Sequence, residues 1–371
     1  MRILIATDAW EPQVNGVVRT LSRTVAECRA LGHEVEIISP DQFKTVPMPT
    51  YPEIRLAVNA YEPIKERFKA FEPEAIHIAT EGPVGLAARR VCMDWKLPFT
   101  TSYHTRFPEY IAARLPAPLA AGYAFMRWFH KPSGRVMVAT ATMRDELIKR
   151  GFRNLSPWSR GVDTDLFNPD LAGHNRVNVM EGLARPVFVN VGRVAPEKNI
   201  EAFLELDLPG SKVVVGDGPA REALQEKYPD VVFVGSKFGM ELATYFAQAD
   251  VFVFPSLTDT FGLVILEAMA TGTPVAAFPA AGPIDLIPGT GAGVVSEDLR
   301  QACLDCLTLD RATVRKYAER FSWRASTEEF IRNLQPYPEP EKTRFWRRLR
   351  RLARLRRRKT AEATETAAKV G

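Results

Sequence analysis

The stretch PSLTDTFGLVILEAMATGTPV, residues 255–275, carries two acids, Asp259 and Glu267, eight positions apart around a Phe-Gly turn. A helix that starts near Gly262 places Asp259 in the loop before it and Glu267 within it. The first-turn N–H groups, at Phe261, Gly262 and Leu263, then lie between the two carboxylates. Helix starts bind anions, and carboxylates accept well from paired hydroxyls. The arrangement suits an elongated ligand that is polyhydroxylated at both ends and anionic in the middle, which describes a nucleotide sugar. A solvated loop Asp and a helix-surface Glu in an ordinary αβ unit would use the same letters.

Further segments supply cations and close backbone. In NVGRVAPEKNIEAFL (190–204), Gly192 ends a strand, Arg193 sits in the loop, and Pro196 marks a helix start with Lys198 in its first turn. A lysine there opposes the helix dipole unless an anion binds, so Arg193 and Lys198 are the expected diphosphate clamps. VVVGDGPARE (213–222) adds Gly216 and Gly218 for close backbone approach, with Arg221 beyond them. In WEPQVNGVVRTL (10–21), Gly16 permits close approach at a helix start and Arg19 adds charge. TSYHTRFPEY (101–110) ends a strand with His104 and Arg106.

The elements that must hold these residues alternate. RILIATD (2–8), EVEIISP (34–40), AIHIAT (75–80), PFTTSYH (98–104) and RVMVAT (135–140) read as buried strands with helical stretches between them. One such helix, GVVRTLSRTVAECRALG, stops at Gly32. After a polar interval near 168–184 the pattern restarts with VFVNVG (187–192), KVVVGDG (212–218), VVFVG (231–235), VFVFPS (251–256) and PVAAF (274–278). The expected fold is α/β: two Rossmann-like domains, 1–170 and 183–320, facing each other across a cleft, with ligands at the carboxyl ends of the strands. A closing helix is expected at 321–334, followed by a Pro-rich linker and tail at 335–371.

The net charge of +5 comes from that tail. Residues 342–359 hold eleven Lys and Arg and no acid, which leaves 38 basic against 44 acidic residues elsewhere. Phe345, Trp346, Leu349, Leu352 and Leu355 recur at helical spacing amid Arg347, Arg348, Arg350, Arg351 and Arg354. The segment suits an amphipathic helix lying in an anionic headgroup layer, with a polar, disordered end beyond it. Nothing in the body reads as a nucleic-acid module. The segment 106–131, with aromatics, arginines and small residues around two prolines, is a second candidate membrane contact, at the lip of the acceptor cleft. The N-terminus reads as a buried strand rather than a signal peptide, and no apolar run approaches the length of a spanning helix. The expected location is therefore cytoplasmic, peripheral on the inner face of the cell membrane. Four cysteines make no disulfide framework, and Cys303 and Cys306 lie in an amphipathic helical pattern rather than a metal site.

Together, VNVGRVAPEKNIEAFL, VVVGDGPARE, SLTDTFGLVILEAMATGTPV, SRGVDTDLFNP and the early Asn-Gly-Val loop resemble the retaining family-4 glycosyltransferases of GT-B fold, over residues 1 to about 334. YHTRFPEY with NGVVRTL looks most like the branch that glycosylates lipids, which includes diacylglycerol glycosyltransferases and mannosyltransferases. The resemblance implies that the first acid of an E-x7-E motif touches the donor sugar and the second holds the ribose. The first acid here is Asp259, one methylene shorter. It further implies that Gly16 lines the donor site, that Arg193 and Lys198 neutralise the leaving diphosphate, and that His104 sits by the reacting sugar.

No cofactor and no metal is expected to be needed, since the nucleotide sugar is a substrate and Asp163 and Asp165 belong to the GVDTDLF stretch. The implied reaction moves a hexose or hexuronic acid from UDP-glucose, UDP-glucuronic acid, UDP-galactose or GDP-mannose to a lipid hydroxyl, that of diacylglycerol being favoured. The competing readings are a polysaccharide or other non-lipid acceptor, a sugar-nucleotide epimerase, and a membrane-bound nucleotide-sugar sensor without catalysis.

Overall fold

The computed structural model describes residues 1–13, 15–48, 51–112, 118–173, 177–337 and 345–346, with backbone alone at 51–53 and 110–112. The first half supplies strands β1 (Arg2–Ala6), β2 (Glu34–Ile38), β3 (Thr45–Met48), β4 (Tyr51–Ala57), β5 (Ala75–Ile78), β6 (Thr100–Tyr103), β7 (Arg135–Val138) and β8 (Leu155–Pro157). The second supplies β9 (Val187–Val191), β10 (Ser211–Val215), β11 (Val232–Gly235), β12 (Val251–Phe254), β13 (Val275–Ala277) and β14 (Gly293–Val295). Two six-stranded sheets result, ordered β2-β1-β5-β6-β7-β8 and β11-β10-β9-β12-β13-β14, every pairing parallel. Each sheet reverses its strand order once, between β1 and β5 and between β9 and β12, and such reversals open a crevice at the carboxyl ends. The antiparallel pair β3–β4 and the short edge strands β8 and β14 are additions to the strands read from sequence.

The helix Gly16–Ala30 shows why these residues form these elements. Asn15 caps it, its side-chain oxygen accepting from the Val17 and Val18 amides at 3.0 Å. Gly32, at φ +79°, ends the turn after it. Val18, Leu21, Val25 and Cys28 form the buried stripe. Leu21, Val25 and Cys28 pack with Ile3 and Ile5 of β1 and with Phe330 and Leu334 from the far end of the chain. Leu21 is fully buried, and a change to alanine there costs about 2–5 kcal/mol.

Phe330 belongs to the final helix, Trp323–Asn333, which packs on the first domain. The chain thus passes between the domains twice, and the two crossings touch. The Val162 amide donates to the Phe321 carbonyl at 3.0 Å, and a Cβ on Gly161 would sit 2.3 Å from the Trp323 nitrogen. Only glycine fits that approach.

The segment after this helix departs from expectation. The Tyr337 amide donates to the Glu74 carbonyl at 2.7 Å, and Trp346 is 2% exposed. Its ring lies 6.3 Å from Trp95 and 4.9 Å from Phe345, in the first-domain core that includes Phe68 and Cys92. Trp346 therefore cannot face a bilayer as the spacing suggested. It fills an apolar notch that would otherwise expose Trp95, and the folded body runs past the Pro-rich stretch. Arg347, Arg348, Arg350, Arg351 and Arg354, and the leucines among them, lie outside the described residues. Among the described residues no helix is long and apolar enough to cross a membrane. Cys303 and Cys306 are free thiols buried in the second-domain core, and burial pushes both thiols up.

His77 of β5 is buried between the Thr100 hydroxyl at 2.9 Å and the Ser102 hydroxyl at 2.7 Å, with the Phe330 ring 5.0 Å away. Burial, reinforced by the nearby Arg160 charge, pushes its imidazole down to about 3. The folded value lies below the unfolded one of about 6.5, so this stability is complete above pH 6.5 and is lost as pH falls toward 3. Urea unfolding at pH 7 and pH 5.5 should show about 1 kcal/mol more loss in the native chain than in His77→Gln. Equal losses in the two chains would clear His77 of this role.

Candidate active site in the interdomain cleft

The loop after β12 turns at Gly262, whose φ of +84° favours glycine and whose missing Cβ would lie 2.9 Å from Ile265 and 3.1 Å from the Phe254 ring. Phe261 is buried beneath the turn, and the helix Leu263–Ala270 begins there. Asp259 precedes the turn and binds Lys198 Nζ at 2.6 Å. Lys198 comes from the loop after β9, so this ion pair bridges the strand-order reversal of the second sheet. Burial works to raise the Asp259 pKa, but the Lys198 ammonium prevails and holds the carboxyl below its usual range. Glu267 is buried in the helix and forms an ion pair with Arg19 of the other domain. Here burial prevails and the pKa is raised, with Arg19 opposing it. Each acid is paired with a cation, and Arg23 adds a second positive charge near Glu267. Asp259 Oδ2 and Glu267 Oε2 are buried and make no close hydrogen bond to the described residues.

The structure refines two readings of the β9 and β10 loops. Lys198 closes a separate 3-10 turn, Pro196–Lys198, and Asn199 at φ +51° divides it from the four-residue helix Glu201–Leu204. It is not in a helix's first turn, and its place is explained by Asp259 rather than by a dipole. Gly216 is needed for loop-on-loop packing: a Cβ there would lie 1.8 Å from the Gly192 carbonyl oxygen, as one on Gly218 would lie 2.4 Å from that of Val194. Gly192 has nothing within 4 Å of its missing Cβ, so its open side remains available to a ligand. Arg193 follows it on the same loop, half-buried.

The first domain forms the opposite wall. A Cβ on Gly16 would meet only Leu263, at 3.8 Å, so two helix starts face each other across the cleft. His104 lies at the end of β6, where its carbonyl accepts from the Thr260 hydroxyl at 2.7 Å. The residue next to Asp259 thus holds His104 directly. The His104 ring packs edge-on to Trp158 at 5.5 Å, and Arg160 Nη2 donates to its Nδ1 at 3.2 Å. Burial, then Arg160, push the imidazole well below its ordinary value, so it is neutral. Arg106 is turned into an ion pair with Glu146 at 2.7 Å and Arg221 into one with Asp217 at 3.1 Å. Asp163 binds Arg23 at 2.8 Å and caps the Leu166 amide. Among the described residues no group of three His, Cys, Asp or Glu side chains could hold a metal.

Sequence reasoning singled out SRGVDTDLF without giving Arg160 or Trp158 a role. The one available signal was an arginine directly before the glycine of the domain crossing.

Two parallel-sheet domains with acids, cations and helix starts converging between them define a glycosyltransferase of GT-B architecture. The Glycosyltransferase Family 4 model matches residues 14–166, and the Glycosyl transferases group 1 model matches 185–308. The chain belongs to glycosyltransferase family 4 and is a hexosyltransferase acting on nucleotide sugars. A GDP-mannose-dependent alpha-mannosyltransferase of Mycobacterium tuberculosis is 30% identical over 77% of this chain and 81% of its own. The sulfoquinovosyl transferase of Arabidopsis thaliana is 30% identical over 87% and 70%, and an alpha-monoglucosyldiacylglycerol synthase of Streptococcus pneumoniae 27% over 75% and 71%. A sucrose-phosphate synthase from Thermosynechococcus elongatus shares the fold at TM-score 0.69 and 21% identity, covering 89% of this chain and 97% of that one. An Anabaena protein solved with UDP-glucose does so at 0.68 and 15%, covering 90% and 98%.

If Glu267 Oε2 receives the ribose hydroxyls, Glu267→Gln should weaken nucleoside diphosphate binding about 10- to 100-fold by calorimetry, the range for a hydrogen bond to a charged group. Binding should also begin to fail on acidification at a higher pH than an ordinary glutamate would give, because protonation through the raised pKa removes the acceptor. Unchanged affinity and pH profile in the variant would take the ribose away from this residue.

Proposed function

We propose that the chain transfers a hexose or hexuronic acid, with retention of configuration, from a nucleotide sugar to a lipid hydroxyl, that of diacylglycerol, at the cytoplasmic face of a membrane. The observation that carries the donor half is the pair of buried carboxylate oxygens without a close hydrogen bond to the described residues, one before the helix Leu263–Ala270 and one within it, with His104 held to the same loop. In this reading the diphosphate lies over that helix start and against Arg193 and Lys198, Glu267 holds the ribose, and Asp259 meets the sugar. Lys198 is then shared between Asp259 and the phosphate. As the glycosidic bond breaks, charge grows on the diphosphate, and Lys198, Arg193 and the helix N–H groups lower the barrier. This stabilisation calls for no metal.

The lipid half is supported by the helix Leu119–His130. Its buried side carries Tyr123, Met126 and Phe129, yet Phe125 is 42% and Trp128 50% exposed, their rings 5.8 Å apart. Arg89 lies 4.0 Å over the Trp128 ring and donates to the Trp128 and Phe129 carbonyls at 3.0 Å. An exposed aromatic pair tied to a cation suits a headgroup layer, and the basic run at 347–359 adds attraction to anionic lipid. Relatives named for diacylglycerol and sulfoquinovosyl transfer point the same way. The mannosyltransferase relatives support GDP-mannose as a second donor reading.

Purified protein would be incubated with diacylglycerol in anionic vesicles and each of UDP-glucose, UDP-glucuronic acid, UDP-galactose and GDP-mannose, and the products weighed by mass spectrometry. One donor should give a glycosyl diacylglycerol, and Lys198→Ala should slow it about 100- to 1,000-fold. Four intact donors would overturn the lipid acceptor, and donor consumption without a lipid product would move hydrolysis or epimerisation to the front. Phe125→Ser with Trp128→Ser should reduce sedimentation with the vesicles while leaving nucleoside diphosphate affinity unchanged.

A further inference from the structure

Arg160 is 4% exposed, an unusual place for a guanidinium. Its Nη1 donates to the Trp158 and Ser159 carbonyls, its plane lies 4.4 Å over the Trp158 ring, and its Nη2 meets His104 Nδ1 at 3.2 Å. The segment that carries it is pinned from the final helix, where Glu329 Oε2 accepts from the Ser159 amide at 2.6 Å and the Ser159 hydroxyl at 2.9 Å. Burial works against the guanidinium's charge and holds its pKa down to about 9, with the Glu329 carboxylate opposing. These contacts fix both the position and the direction of the Arg160 donors.

A guanidinium has donors and no acceptor. A hydrogen bond between it and an imidazole nitrogen therefore requires that nitrogen to be the unprotonated one. In neutral His104 the Nδ1 must accept, so the proton is on Nε2. His104 Nε2 is buried, on the far side of the ring from Arg160, and has no hydrogen-bond partner among the described residues. We propose that Arg160 is a positioning residue that locks His104 as its Nε2–H tautomer, making His104 a hydrogen-bond donor to an oxygen of the bound sugar or phosphate and excluding it as the base. This rests on the reading of His104 as part of the donor site.

The consequence for the transfer is definite. A ring whose exchangeable nitrogen already holds a proton, beside a buried guanidinium, cannot accept another without placing two cations together in a low-dielectric site. In the retaining transfer the C1–O bond to phosphate breaks with its electron pair going to the phosphate. The acceptor oxygen bonds to C1, and its proton passes to a phosphate oxygen rather than to His104. Burial disfavours the charged form of His104 most, and Arg160, His77 and His130 add to it through their charges; Arg160 and the Trp158 ring touch the imidazole directly.

The tautomer is read directly by long-range proton–nitrogen correlation on protein labelled with 15N-histidine, with His104→Gln assigning the resonance. The native protein should show His104 protonated at Nε2 and bare at Nδ1, unchanged from pH 8 to pH 6. Arg160→Met, which keeps length but removes the donor, should give mixed tautomers, while burial still holds His104 neutral across that range, and lower kcat about 10- to 100-fold, by analogy with loss of the group that orients a metal-bound histidine. Arg160→Lys, which keeps a donor, should recover part of both. A native His104 protonated at Nδ1, or an Arg160→Met chain that folds and keeps the Nε2–H form and native kcat, would overturn the lock. Should Arg160→Met fail to fold, the tautomer of the native protein decides alone. The tautomer is measured without donor or acceptor, so failure of every donor in the product assay would strike the proposed function and leave this result standing.

Discussion

A carboxylate taken out of water needs a compensating cation, and the cleft holds two, each in an ion pair of its own. That constraint organises the rest. Asp259 and Glu267 sit on a single turn and helix start, but their cations cannot come from the same element. Lys198 is delivered by the loop after β9, which the parallel strand order places beside β12. Arg19 is delivered by the other domain, from the first turns of a helix whose start faces Leu263. The Arg19–Glu267 pair thus joins the two sheets through the site itself. A ligand that draws Glu267 toward its own hydroxyls must loosen this tie, which couples donor binding to the spacing of the domains.

The glycines around the cleft do two different jobs, told apart by what a side chain would strike. Gly161, Gly216 and Gly218 are closed against backbone, so they bring loops and crossings together. Gly16 and Gly192 are nearly open, one at a helix start and one at a strand end, and leave room for a ligand. Sequence shows both kinds as the same letter after a strand. This is why Gly216 read as a ligand position although the backbone of the neighbouring loop already fills the space.

The alternation of β-branched runs with amphipathic helices made both sheets legible, because buried parallel strands are continuous apolar runs bounded by turns. Asp259, Lys198 and His104 were legible as a set because each lies in the segment that follows a strand, and Glu267 because its helix follows such a segment, and the topology brings these segments together. What stayed hidden depends on long-range packing. Arg160 looks like a surface cation until Glu329 pins the neighbouring Ser159 and the guanidinium is turned inward onto Trp158 and His104. Lys198 looked like a helix residue until Asn199 broke the turn. Trp346 sits in a run of arginines whose spacing reads as amphipathic, and only the notch beside Trp95 shows that its ring belongs inside.

That ring has a consequence for how the molecule is made. The second sheet is built from one continuous stretch of chain, whereas the first-domain core is completed by Phe330, Leu334 and Trp346, some 170 residues or more after the last strand of its own sheet. During synthesis the first domain must keep apolar surface open until residues 330–346, which follow the whole second sheet, have emerged. Cutting the chain after the second sheet would therefore open the core of the opposite domain, so the domain whose strands come first is completed after the one whose strands come second.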